Sequence, residues 1–190
     1  MGAEQEIRDY LNETAQLIGK TATDTSTIRT IVEAIAECFR SGGKILLCGN
    51  GGSAADAQHL AAEFVNRFRR DGRALPAIAL TTDTSVLTSI ANDSAFERIF
   101  ARQLEAIGRR GDCLIAISTS GKSANVLAAA QAARNAGIRV IALTGKSEDG
   151  LAALADIALR VPSRETSHIQ EVHIAVGHLI AKIVEEQARA

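Results

Sequence analysis

Apolar residues recur along this chain in two rhythms. Over residues 4–19 they fall at Ile7, Leu11 and Leu17-Ile18, one face of a helix, until Thr21 to Ser26 (TATDTS) breaks the pattern. From Ser26 to Ser41 the positions Ile28, Ile31, Val32, Ile35 and Phe39 keep helical spacing, and Gly42-Gly43 end it. From Lys44 the rhythm changes. Unbroken apolar runs at 44–48 (KILLC), 76–80 (PAIAL), 113–118 (CLIAIS), 139–144 (RVIALT) and 156–161 (DIALRV) predict five strands. Helices are predicted between and after them, over 54–70, 84–91, 94–108, 123–136, 148–154 and 168–188. Strands covered on both faces read as continuous rather than alternating apolar runs, so the sheet is expected to be parallel. The alternation predicts an α/β fold: a doubly wound, flavodoxin-like, five-stranded parallel sheet flanked by helices. The chain is expected to form one domain, residues 1–190, with a helical pair at 1–42 and an α/β core at 43–190. The helical pair belongs to no βα repeat; it packs on the sheet or swaps onto another chain.

Ligands of such folds sit at the carboxyl ends of the strands, which points to loops 49–53, 81–83, 118–123 and 162–167. In the first, Gly49, Asn50, Gly51, Gly52 and Ser53 lead from a strand into a helix, with Ser53 a good N-cap. Free N–H groups and the helix dipole make such a turn an anion site, although an ordinary tight turn looks the same. The third loop repeats the design with four hydroxyls, Ser118, Thr119, Ser120 and Ser123. Capping needs one hydroxyl, so four favour phosphate. Lys122 adds charge there or faces solvent. His59 and Glu63 share a helix face that Arg67 continues. That stripe suits proton transfer or metal ligation, and equally a solvated polar face. Asn92 and Asp93, like Thr81-Thr82-Asp83, read either as a capped polar loop or as a ligand contact. Ser94 to Glu97 and Ser167 to Gln170 both fit capping boxes, the second starting the last helix at Ser167. Ile169, Val172, Val176, Ile180 and Ile183 form that helix's core stripe. His173 falls on the stripe and reads as a core histidine. His178 lies nearly opposite, with Ile174 and Ala181, and two apolar sides suggest an oligomer contact.

Composition narrows the partners. The 190 residues are 46% hydrophobic and 3% aromatic, with 21 basic against 22 acidic residues. Nothing there suggests nucleic acid, and no apolar stretch approaches membrane-spanning length. The N-terminal MGAEQEIRDYLNE is no secretory signal. Cys38, Cys48 and Cys113 lie far apart in apolar segments and read as reduced thiols of a cytoplasmic protein.

The motifs CGNGGSAADAQHLAAEF (48–64), LTTDTSVLTSIAND (80–93), ISTSGKSANV (117–126), LTGK (143–146) and IQEVHIAVGH (169–178) resemble the sugar-isomerase (SIS) domain family. Within it they resemble most the phosphoheptose isomerases, which convert sedoheptulose 7-phosphate to D-glycero-D-manno-heptose 7-phosphate. The resemblance covers nearly the whole chain. It implies that Ser53, Ser118, Thr119, Ser120 and Ser123 hold the phosphate or its neighbouring hydroxyls. It implies that Asn50, Gly51, Gly52, Asn92 and Asp93 line the substrate, a lining to which Arg67 and Gln170 are added. It makes Glu63 the base and His178 its acid/base partner. It implies zinc at His59, Glu63, Gln170 and His178, no organic cofactor, a cytoplasmic homotetramer, and a role in heptose supply for lipopolysaccharide. The position of Ser167 is acidic in some members. Zinc lowers the basicity of Glu63, so one exchangeable ion per subunit is expected. Relatives that bind the replication initiator or sense phosphosugars without catalysis are the alternative. Gln170 and His178 are separated by about 12 Å along one straight helix. One zinc cannot take both, unless the helix begins after Gln170 or the residues come from different chains. The off-stripe position of His178 favours a site in which Glu63 works with a neighbouring subunit's His178.

Overall fold

A computed structural model describes residues 2–66, 68 and 73–187. Helices α1 (Ala3–Thr21) and α2 (Thr25–Arg40) precede strand β1 (Ile45–Cys48). There follow α3 (Gly52–Val65), β2 (Ala77–Ala79), α4 (Thr84–Asp93), a 3₁₀ turn (Phe96–Arg98) and α5 (Ile99–Ile107). The rest is β3 (Cys113–Ser118), α6 (Ala124–Asn135), β4 (Arg139–Thr144), α7 (Leu151–Leu154), β5 (Ile157–Arg160) and α8 (Thr166–Gln187). The five strands form one parallel sheet in the order β2-β1-β3-β4-β5, the doubly wound arrangement expected.

Each apolar strand run divides its side chains between two cores, because successive residues point to opposite faces. Ile45, Leu47, Ile115, Ile117, Ile141 and Leu143 meet α2, α3 and α8 on one side. Leu46, Cys48, Leu114, Ala116, Val140 and Ala142 meet α5, α6 and α7 on the other. The N-terminal pair packs within the chain. Helix α2 lies on the sheet and α8, and α1 is pinned to α8 by Tyr10, which donates to Glu171 Oε1 at 2.6 Å, and Thr14, which donates to Oε2 at 2.8 Å. At the sheet's amino end, the buried Asp112 accepts from Lys44 N (3.0 Å), Lys44 Nζ (2.6 Å) and Arg109 N (2.8 Å). The three cysteines are free and buried, and burial pushes the Cys48 thiol up to about 12.

Several boundaries differ from the sequence expectation. Ser53 does not cap α3: Gly51 takes the N-cap position at φ 55°, and Ser53 is already inside the helix. The 94–108 helix is split. Asp83 caps α4 through Val86 N (2.9 Å), α4 runs on through Asp93, and Ser94 ends it instead of starting a capping box. Ala95 is then extended, and the 3₁₀ turn leads into α5. Helix α7 keeps only Leu151–Leu154, after Gly150 at φ 65°. Helix α8 starts at Thr166, so Ser167 lies inside it rather than at its cap. No helix among the described residues is long and apolar enough to cross a membrane.

Candidate active site

The two predicted loops lie side by side, because β1 and β3 are neighbours in register, Cys48 opposite Ala116. Glycine is required in the first for close approach. A Cβ at Gly49 would stand 2.7 Å from the Ser53 carbonyl oxygen, and one at Gly52 would stand 2.5 Å from Gln170 Nε2. Gln170 of α8 therefore covers the 49–53 loop of its own chain. In the second loop Gly121 takes φ 68°, a conformation that disfavours any side chain.

Two hydroxyls of the second loop, those of Ser118 and Ser123, face one another. Ser123 occupies the N-cap position of α6 but makes no side-chain cap bond; its Oγ lies 3.0 Å from that of the buried Ser118. Ser120 Oγ accepts from Lys122 N at 3.2 Å, which leaves its own O–H free to donate. A cleft of about 570 Å³ opens beside this loop, and Thr119, Ser120, Lys122, Lys146, Glu148 and Arg164 are among the residues that line it. A cleft of similar size, about 620 Å³, lies at the opposite end of the sheet around Cys38, Asp112 and Arg139, and holds none of the predicted site residues.

Helix α3 carries His59 and Glu63, and α8 packs across it. Gly177 allows the approach, since a Cβ there would lie 2.6 Å from Leu60 Cδ2. His178 thus reaches His59 of the same chain, with Nε2 to Nε2 at 2.7 Å. Glu63 Oε1 lies 3.5 Å from His59 Nε2, and one ligand atom from each of the three residues falls within 4.8 Å of the others. Two imidazole nitrogens that close share one proton or one metal ion, because two N–H groups cannot meet head-on. Two histidines and a carboxylate are a donor set that suits zinc with one position open.

This arrangement corrects two expectations. The partner His178 expected from a neighbouring subunit is supplied by the same chain. On the second side of α8, Ala181 is buried and Ile174 is half-buried against the core formed with α2 and α3. Gln170 does not join the trio: α8 is continuous from Thr166, so Gln170 lies two turns away, over Gly52.

Other predicted residues are placed as follows. Ser53 is 3% exposed. Asn92 and Asp93 form the exposed last turn of α4, with Asn92 Nδ2 donating to Asp93 Oδ1 (2.7 Å) rather than to either loop. Arg67 lies outside the described residues. His173 is a fully buried core residue whose Nε2 meets Thr144 O at 3.2 Å. Two residues near the site went unnoticed in the sequence. Asp56 precedes His59 by one turn of α3. Burial pushes its carboxyl above the usual range, against the opposing pull of His59 and His178, and its buried Oδ2 has no partner among the described residues. Its three-residue spacing from His59 was the available signal. The second, Asn125, bonds Asn50 across the two loops; a polar residue opening an otherwise Ala-rich helix was its only mark.

The SIS domain family matches residues 9–145 of the chain. A phosphoheptose isomerase of Roseiflexus sp. is 60% identical over 163 residues, covering 86% of this chain and 83% of that protein. The solved phosphoheptose isomerase of Neisseria gonorrhoeae is 41% identical and superposes with a TM-score of 0.92, over 97% of this chain and 100% of that one. That of Francisella tularensis is 38% identical with a TM-score of 0.94, over 98% and 100%. The chain belongs to the SIS domain family and, within it, to the phosphoheptose isomerases.

Proposed function

We propose that the chain isomerises sedoheptulose 7-phosphate to D-glycero-D-manno-heptose 7-phosphate through an enediol. The observation that carries this reading is the meeting of His59 and Glu63, on the helix that leaves the 49–53 loop, with His178 of α8. Phosphate and reacting carbons lie at opposite ends of a heptose 7-phosphate. Ser53 and His59 are separated correspondingly, by about 9 Å along α3 at 1.5 Å per residue.

In this reading the hydroxyls of Ser118, Thr119, Ser120 and Ser123, with Ser53, hold the phosphate. Asn50, the Gly51–Gly52 backbone and Gln170 line the sugar, as do Asn92, Asp93 and Arg67. Glu63 removes the C1 proton of the ketose while His178 protonates the C2 carbonyl oxygen. Glu63 then returns the proton to C2, and His178 takes back the proton of the C1 hydroxyl, leaving the aldose. Side chains alone balance these transfers. His59, Glu63 and His178 are the residues that would hold zinc. A bound ion supplies electrostatic stabilisation of enediolate charge, and an exchangeable ion leaves Glu63 free to act as base.

The proposal extends to assembly and place. Ile7 (58% exposed) and Leu11 (62%) give α1 an apolar face, which suits packing between copies in a homotetramer. Because α8 is continuous, a fourth ligand from Gln170 would have to come from a second chain. Three free thiols fit the cytoplasm, where the product would feed lipopolysaccharide heptose. The test is formation of the aldose phosphate when purified protein meets sedoheptulose 7-phosphate. Binding of that ketose without turnover would refute the isomerase reading and favour a phosphosugar sensor.

A further inference from the structure

The crevice between β1 and β3 holds a contact that neither the trio nor the hydroxyl loop uses. The chain leaves β1 for the edge strand β2 and returns to β3 on the other side of β1. The loops after β1 and β3 therefore diverge at this point, where open α/β sheets bind ligands. Asn50 from the first loop and Asn125 from the first turn of α6 bridge it. Asn50 Nδ2 donates to Asn125 Oδ1 at 2.8 Å, and Asn125 Nδ2 donates to Asn50 Oδ1 at 2.8 Å. Asn125 Oδ1 also accepts from Val126 N at 3.0 Å.

A carboxamide has one acceptor oxygen and two N–H donors. Here each amide gives its oxygen and one N–H to the other. Neither can turn over by 180° without setting oxygen against oxygen and N–H against N–H. Asn125 is 2% exposed, so no water replaces a lost partner cheaply. Asn50 is only half-buried. Its orientation is thus dictated by a residue that a ligand cannot reach, and its second N–H has no partner among the described residues. Asn is a poor helix former, and these three bonds account for its presence in the helix ANVLAAAQAARN.

We propose that Asn125 is a positioning residue for the sugar phosphate. It holds the Asn50 amide in one orientation, with its uncommitted N–H as a fixed donor, and it ties the 49–53 loop to the 118–123 loop so that both close on one ligand in register. The proposal rests on the reading that Asn50 touches the substrate.

The experiment is a double-mutant cycle on the full chain, with sedoheptulose 7-phosphate kinetics and thermal unfolding measured for Asn50→Ala, Asn125→Ala and the double variant. Asn125→Ser, which keeps a small polar group but cannot form the two-bond ring, guards against a folding failure. Asn125→Ala and Asn125→Ser should each raise KM about tenfold, in the range of contacting pairs, with kcat within about threefold of wild type. The double variant should be no worse than Asn50→Ala alone, because both lesions remove one contact. Wild-type KM in the Asn125 variants beside an impaired Asn50→Ala would overturn the proposal, as would losses that multiply in the double variant. A fall in melting temperature with unchanged KM would make Asn125 merely structural. Wild-type KM in Asn50→Ala would instead overturn the substrate contact on which the proposal rests.

Discussion

His173 gives the chain a pH dependence that can be worked from its surroundings. The ring is fully buried. Its Nε2 lies 3.2 Å from the Thr144 carbonyl oxygen, so that nitrogen carries the hydrogen and donates it. Nδ1 is buried with no partner among the described residues. A second proton would place a charge there with nothing to receive it, and burial pulls the ring from its ordinary 6.5 down to about 4. The unfolded chain takes up this proton below pH 6.5, whereas the folded chain resists until about pH 4. Protonation therefore favours unfolding, and stability falls as pH drops through that window. At about 1.36 kcal/mol per pKa unit the full loss is roughly 3 kcal/mol, of which about 2 is lost by pH 5. For a chain of this size 2 kcal/mol corresponds to about 4–8 °C in melting temperature. The assay is urea unfolding of wild type and His173→Leu at pH 7, 6 and 5. Leucine forfeits the bond to Thr144 equally at every pH, and every other ionisable group is common to the two proteins. The variant should therefore lose about 2 kcal/mol less than wild type between pH 7 and 5. Parallel pH profiles would refute the reasoning.

Three further outcomes are expected. Ser120→Ala removes the hydroxyl whose O–H is free beside the cleft; it should weaken sugar phosphate binding by about 1.5–3 kcal/mol and leave binding of dephosphorylated sedoheptulose unchanged. Asp112→Ala strands the N–H groups of Lys44 and Arg109; it should cost about 3–5 kcal/mol of stability by denaturant unfolding, with turnover of the folded protein at 25 °C unchanged. Calorimetric titration of metal-free protein with zinc should show one site per chain. His178→Ala should weaken it by more than the ~100-fold typical of losing an outer-shell partner.

The sheet was legible because parallel strands covered on both faces must be apolar throughout, and runs such as CLIAIS at Cys113–Ser118 match their strand residue for residue. Helix ends were less so. Ser94 and Ser167 head sequences that fit capping boxes, yet Asp83 starts α4 early enough for Ser94 to end it, and α8 begins at Thr166. A cap is a local preference worth about 1 kcal/mol, easily outweighed by where the packed helix has to lie. The site divided in the same way. Loop chemistry could be read from Gly51, Gly52 and the hydroxyls at 118–123, because small residues at strand ends have few other uses. The placement of His178 could not, since helical spacing gives its direction on α8 but not which neighbour fills that side. Asn125 was hidden for a related reason: its partner, Asn50, stands 75 residues away.

Solvent proton incorporation during turnover tests the central claim most directly. Sedoheptulose 7-phosphate is incubated in deuterium oxide with wild type and with Glu63→Gln, and the aldose is followed by proton NMR. Glutamine preserves the shape beside His59 but cannot take a proton. Wild type should form D-glycero-D-manno-heptose 7-phosphate carrying deuterium at C2, and Glu63→Gln should form it at least ~10²-fold more slowly. An aldose that stays undeuterated through repeated equilibration, made equally fast by Glu63→Gln, would contradict an enediol route with Glu63 as base.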